Sequence, residues 1–104
     1  MAVADASTET LSLSLDPVLD LRAAAPLKIQ FQQILGRGLP LAIDASAVSR
    51  MSTACVQVIA AAVLETQKGG KAPVLKKSSP VFDAAFVNLG LADMLNSIKP
   101  QDMK

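Results

Sequence analysis

Thr10–Leu15 alternates polar and apolar residues strictly, which puts Leu11, Leu13 and Leu15 on one face of a half-buried strand. Asp16-Pro17 turns the chain, and Val18–Leu21 reads as a second short strand. The period then changes. Over Ala23–Leu35 the apolar residues Leu27, Phe31, Ile34 and Leu35 recur at helical spacing, while Lys28, Ile29 and Gln32 fall on the other side. Pro26 fits such a helix only in its first turn, where its missing N–H is not needed. Gly36-Arg37-Gly38 ends it, because glycine tolerates the left-handed stop. Leu39–Asp44 is a short apolar strand with Pro40 at its entrance, where a missing donor costs least.

A second helix is expected from Ser52 or Thr53 to Lys68, closed by Gly69-Gly70. Cys55, Val58, Ile59, Ala62 and Val63 form its core stripe; Gln57, Ala61, Glu65 and Lys68 face water. Val56, Ala60 and Leu64 lie on the flank between those faces. Ala72–Lys76 reads as a strand. Ser79-Pro80 supplies a cap and a first-turn proline for a third helix, whose stripe is Phe82, Ala85, Phe86 and Leu89. Gly90 stops that helix, with Leu91 placed for the apolar contact that follows a glycine C-cap. Leu91–Ile98 is a last helical turn or a short strand. Strands separated by helices of this length require parallel crossovers, hence an α/β sheet.

With 104 residues and half of them hydrophobic, the chain suits one domain with one core. Residues 1–9 read as a flexible N-terminus, 10–98 as a single domain and 99–104 as a flexible tail. Net charge of +1 and the lack of Tyr and Trp give no footing for nucleic acid. Histidine is absent, which removes His-based triads, His metal ligands and the usual general base at neutral pH. The single cysteine, Cys55, cannot form an internal disulfide, and no Cys/His set can build a zinc site. No metal or cofactor is expected. No apolar run approaches the roughly 18 residues of a membrane span, and no signal segment is visible, so a cytoplasmic protein without direct membrane insertion is the expectation.

The densest chemistry lies between Leu41 and Ile59. Asp44 and Ser46 supply turn chemistry after an apolar strand, and the hydroxyls of Ser52 and Thr53 stand where helix two begins. A hydroxyl there can satisfy free backbone N–H groups, and the positive end of the helix dipole also receives a phosphate well. A plain helix cap and a phosphorylation switch are both compatible with these residues. Cys55 is a small core residue or, near a helix N-terminus, a reactive thiol. Lys68, Lys71, Lys76 and Lys77 read as a solvated edge that deters sheet-to-sheet pairing, with phosphate or headgroup contact as the other option.

This order of elements, with Ile43-Asp44-Ala-Ser46-Ala-Val48-Ser49-Arg50-Met51-Ser52-Thr53-Ala54, resembles the STAS domain family. The run is especially similar to the branch that includes the small cytoplasmic subunit of the Mla phospholipid-transport system. The resemblance covers about residues 10–96. It implies an α/β fold, a STAS-like mixed β-sheet of four to five strands with three to four helices packed mainly on one face. It also implies a non-enzymatic regulatory adaptor whose helix-two start meets a partner with an ATP-binding domain. In anti-sigma-factor antagonists that partner is a serine kinase; in some chemotaxis systems it is a histidine kinase. The alternative is an MlaB-like subunit that binds an ABC ATPase. The family's phosphoacceptor or partner-contact position falls on Thr53. Candidate partner-binding residues are Asp44, Ser46, Ser52 and Thr53 around that position, with Val56, Ala60 and Leu64, the apolar residues of helix two left over once its core stripe is assigned. Two residues depart from the family pattern: Ser52 stands for an Asp, and Cys55 for a Gly.

Overall fold

The computed structural model describes residues 11–38 and 41–99. The expectations for residues 1–10, for Leu39-Pro40 and for the tail from Pro100 lie outside them. Strand β1 (Leu11–Ser14) and the two-residue β2 (Val18–Leu19) lead through a single 3-10 turn, Leu21–Ala23, into α1 (Ala24–Gly36). Next come β3 (Leu41–Ala45), a short β4 (Arg50–Met51) and α2 (Thr53–Lys68). The chain then forms β5 (Val74–Ser78), α3 (Pro80–Asn88) and α4 (Ala92–Ile98). The three longer strands make one sheet in the order β1-β3-β5, and β2 with β4 makes a second; every pairing is parallel. This is the expected STAS-like α/β architecture, with five strands among the described residues, divided three and two.

Register decides which face is buried. Leu13 pairs with Ile43 and Ile43 with Leu75, so these side chains point to one side, and Leu15, Leu41 and Ala45 follow by alternation. They merge with Leu27 and Phe31 of α1, Ile59 and Val63 of α2, and Phe82 and Phe86 of α3 into a single core. The rings of Phe82 and Phe86 lie 4.9 Å apart, tilted by 31°. The other sheet face carries Ser12, Ser14, Asp44 and Lys77 together with Ala42 and Val74, with a bulge between Ile43 and Asp44 that leaves Lys76 out of register. A mostly polar outer face and a one-sided core make two layers, helices on one side.

Helix ends follow local chemistry. Ser79 caps α3 by accepting from the Phe82 N–H, with Pro80 in the first turn. At the other end Gly90 sits at φ +77°; its N–H reaches the Val87 carbonyl and the Leu91 N–H the Phe86 carbonyl, at 3.0 and 2.9 Å. Gly70, at φ +83°, closes α2 in the same way through Gln67 and Thr66. Both positions need glycine because a Cβ is strained at such φ.

The last segment, read as a helical turn or a short strand, is a helix, α4, whose Leu95 and Ile98 are buried. Other details differ from the sequence reading. The second strand ends at Leu19, with Leu21 already in the 3-10 turn, and β5 runs Val74–Ser78 rather than Ala72–Lys76. Leu89 is not on the buried stripe of α3; it is the C-cap residue and exposed. Val56 is not on a flank. It is 1% exposed and part of the core. At about 100° per residue it lies some 60° from Ile59, inside the same arc as Val63 and Ala62. Because α2 packs on the sheet with α1 on one side and α3 on the other, the buried arc is centred on Ile59, and Val58 is left half-buried.

Candidate functional site: the start and exposed side of helix α2

The approach to α2 is fixed by residues thirty positions earlier. The Pro17 carbonyl accepts from the Ser49 and Arg50 N–H groups, at 2.7 and 3.1 Å, and from the Ser49 hydroxyl. The Ser52 N–H donates to the Leu19 carbonyl at 2.7 Å, so β2 holds the last residue before the helix. Ser52 is extended (φ −83°, ψ 157°), and its Oγ accepts from the Cys55 N–H at 3.2 Å. Ser52 is therefore the cap. Thr53 is the first helical residue, exposed, and its hydroxyl has no hydrogen-bond partner among the described residues.

Cys55 is fully buried and its thiol donates to the Asp20 carbonyl at 3.3 Å. Its side chain points into the domain and tethers the 3-10 turn. A cysteine in the family's glycine position thus adds no bulk to the outer surface.

Asp44 and Ser46 are brought together, but with each other. Asp44 Oδ1 accepts from the Ser46 N–H at 3.0 Å and from its hydroxyl at 2.7 Å, an Asx turn that lets the chain leave β3. The Ser46 hydroxyl and then its N–H hold the Asp44 carboxyl below its ordinary value; desolvation opposes them, and Lys77 and Lys76 add a weaker pull in the same downward direction. Neither residue hydrogen-bonds to Ser52 or Thr53 among the described residues. They share with them only the carboxyl end of the parallel strands, where ligands of open α/β sheets commonly sit.

Sequence reading named Ser79 as a cap and missed its second task. The Ser79 hydroxyl donates to the Val48 carbonyl at 2.6 Å, and its N–H to the Ala45 carbonyl at 3.2 Å. The β3–β4 loop that delivers Arg50 and Ser52 is thereby anchored to the start of α3. No sequence signal announces a bond across 31 positions.

Along α2, Thr53, Ala60 and Leu64 fall within an arc of about 40°. Ala60 is half-buried and Leu64 is 50% exposed. No charged residue lies between Arg50 and Glu65. The exposed side of α2 is consequently neutral for its first three turns, whereas a helix face turned only to water normally carries charge. Among the described residues no three of His, Cys, Asp and Glu cluster to hold a metal ion.

The family model described as "Mlab, STAS domain" matches residues 2–96. The chain belongs to the STAS domain family. No curated protein and no solved structure matches it. The matched region of this STAS domain includes both sheets, the first three helices and most of α4, so the neutral side of α2 lies within the family region. No helix among the described residues is long and apolar enough to cross a membrane.

Proposed function

We propose that this STAS domain is a non-enzymatic adaptor that docks the start and neutral side of α2 onto a protein partner with an ATP-binding domain. The observation that carries the reading is the uncharged exposed side of α2, led by an unengaged Thr53 hydroxyl. Binding surfaces are depleted of charge at their centre, and this one offers Leu64 as an apolar anchor beside the small Ala60. An enzymatic role for Thr53 lacks support, because no side chain of the described residues hydrogen-bonds to its hydroxyl to act as a base.

Thr53 is proposed as a phosphoacceptor of the partner kinase, the Ser52 cap leaving it free. Phosphate there adds about −1.5 to −2 charges at a helix N-terminus, where the dipole offsets the cost locally. The same charge opposes a surface that had packed on a neutral hydroxyl. Asp44 and Ser46 belong to this reading as neighbours at the sheet end, and Val56 supports it from the core. The folded unit is proposed as residues 10–98, in the cytoplasm.

A second reading keeps the surface and changes the partner: an MlaB-like subunit that binds an ABC ATPase, which the description of the matching family favours. The partners encoded beside the gene distinguish the two. Isothermal titration with the purified ATP-binding partner tests the surface. Ala60→Glu and Leu64→Asp should abolish binding without lowering the melting temperature. Thr53→Glu should weaken it at least tenfold, about 1.4 kcal/mol, and Thr53→Val should bind as wild type. Normal binding by a folded Ala60→Glu protein refutes the docking surface. Normal binding by Thr53→Glu, with no phosphate at Thr53 after incubation with kinase and ATP, refutes the switch alone.

A further inference from the structure

Ser79 does more than a helix cap requires. It is extended (φ −92°, ψ 162°) ahead of α3, and its Oγ accepts from the Phe82 N–H at 3.1 Å. A cap needs only an acceptor, and Asp or Asn would serve there as well. The hydroxyl also has a proton to give. It goes to the Val48 carbonyl at 2.6 Å, in a place where Ser79 is 9% and Val48 2% exposed. Among the described residues no other hydrogen bond from β5 or α3 reaches the loop 46–49.

The other end of the same peptide group is held too. The Ser49 N–H shares a planar amide with the Val48 carbonyl, and it donates to the Pro17 carbonyl at 2.7 Å. One rigid peptide is therefore clamped between the start of α3 and the entrance of β2. Its setting matters because β2 and β4 form a sheet of their own, apart from β1-β3-β5. Ser79 directly follows β5, whose Ser78 pairs with Ala45 of β3. The Val48–Ser49 peptide thus joins the small sheet to the end of the large one. Four residues on from Val48 stands Ser52, bound by Leu19, and after it Thr53 opens α2.

We infer that Ser79 is a positioning residue for the start of α2. By holding the Val48 carbonyl it fixes the peptide that sets β4 against the main sheet. It thereby fixes where Ser52 turns the chain into the helix and where Thr53 is presented. Ser79 itself is buried beneath the loop and meets no partner. That this placement serves docking rests on the adaptor reading; the placement itself does not. Losing the proton donor alone should loosen the α2 start while the α3 cap persists, a separation that a plain cap would not show.

Native-state amide hydrogen exchange of the full chain, read residue by residue by NMR, tests it. The Ser52 and Cys55 amides report the α2 start and the Phe82 amide the α3 cap. Rates are compared at equal global stability, the wild type being brought to that of each variant with urea. In Ser79→Ala and Ser79→Asp, Ser52 and Cys55 should exchange at least tenfold faster than in the matched wild type. In Ser79→Asp the Phe82 amide should stay protected. Ser79→Thr, which keeps both donor and acceptor, should exchange as wild type. A smaller rise at Ser52 and Cys55 overturns the inference, as does a Ser79→Thr protein that behaves like Ser79→Ala. Isothermal titration with the ATP-binding partner separates this from the docking reading. If Leu64→Asp fails to bind while folded Ser79→Ala binds as wild type, the positioning role is refuted and the docking reading stands. If the Ser79 variants exchange faster as expected but Leu64→Asp binds as wild type, the positioning of the α2 start is supported and the docking reading refuted.

Discussion

Replacing Ser79 by Ala removes two hydrogen bonds of unlike kind. The first is the cap on the Phe82 N–H at 3.1 Å, worth about 1 kcal/mol. The second is the 2.6 Å bond to the carbonyl of Val48, a residue only 2% exposed. A buried carbonyl left without a donor costs about 1–3 kcal/mol. Together the loss is about 2–4 kcal/mol, against about 1 kcal/mol for Ser52→Ala, which removes only the cap on Cys55. The Ser79 N–H to the Ala45 carbonyl survives the change, so the variant still folds. With no Trp or Tyr, urea unfolding is best followed by far-ultraviolet circular dichroism. The melting temperature should fall by roughly 8–32 °C, at about 4–8 °C per kcal/mol for a domain of this size. Ser79→Asp keeps an acceptor for Phe82 but cannot donate to Val48 when ionised, so it should not restore stability. If Ser79→Ala and Ser52→Ala differ by less than about 0.5 kcal/mol, the Val48 bond contributes nothing and the anchoring of the β3–β4 loop is refuted.

Cys55 should react with a thiol reagent at least a hundredfold more slowly in the native protein than in urea, since its side chain is fully buried; comparable rates would show that α2 opens readily at its start. The Asp44 carboxyl, held low by Ser46, should titrate by NMR below an ordinary aspartate, and Ser46→Ala should move it upward. A lowered folded-state pKa gives stability that is present above the unfolded value of about 3.9 and lost as the pH falls through the folded one, so the Asp44–Ser46 turn stabilises at neutral pH and not in acid.

Elements set by local chemistry were legible in the sequence. The α2 start and stop and the Ser79-Pro80 entry to α3 depend on caps and glycines next to the residues they serve, and all stand where the pattern put them. The family region was legible too, through the 43–54 run. What was not legible depends on distant partners. Arg50–Met51 has no strand signature of its own and becomes β4 only by pairing with Val18–Leu19. Val56 and Val58 are both valines, and only the placement of α2 between its neighbours decides that the first is buried and the second half-buried. For the site, the sequence offered two hydroxyls at a helix start without saying which caps. The backbone of Ser52, held by Leu19, assigns the cap to Ser52 and leaves Thr53 free.

The parallel pairing of β2 with β4 also governs the order of assembly. The carbonyls of Pro17 and Leu19 find their donors only after the crossover through α1 has brought Ser49, Arg50 and Ser52 beside them. Such non-local closures form after local helices do, because loop entropy must be overcome first. An excised α2 of sixteen residues, marginal as a helix by itself, would not reproduce the entry geometry that orients Thr53. The surface on α2 therefore comes into being with the tertiary fold rather than before it. A partner docked on the proposed surface would also sense whether the domain has folded.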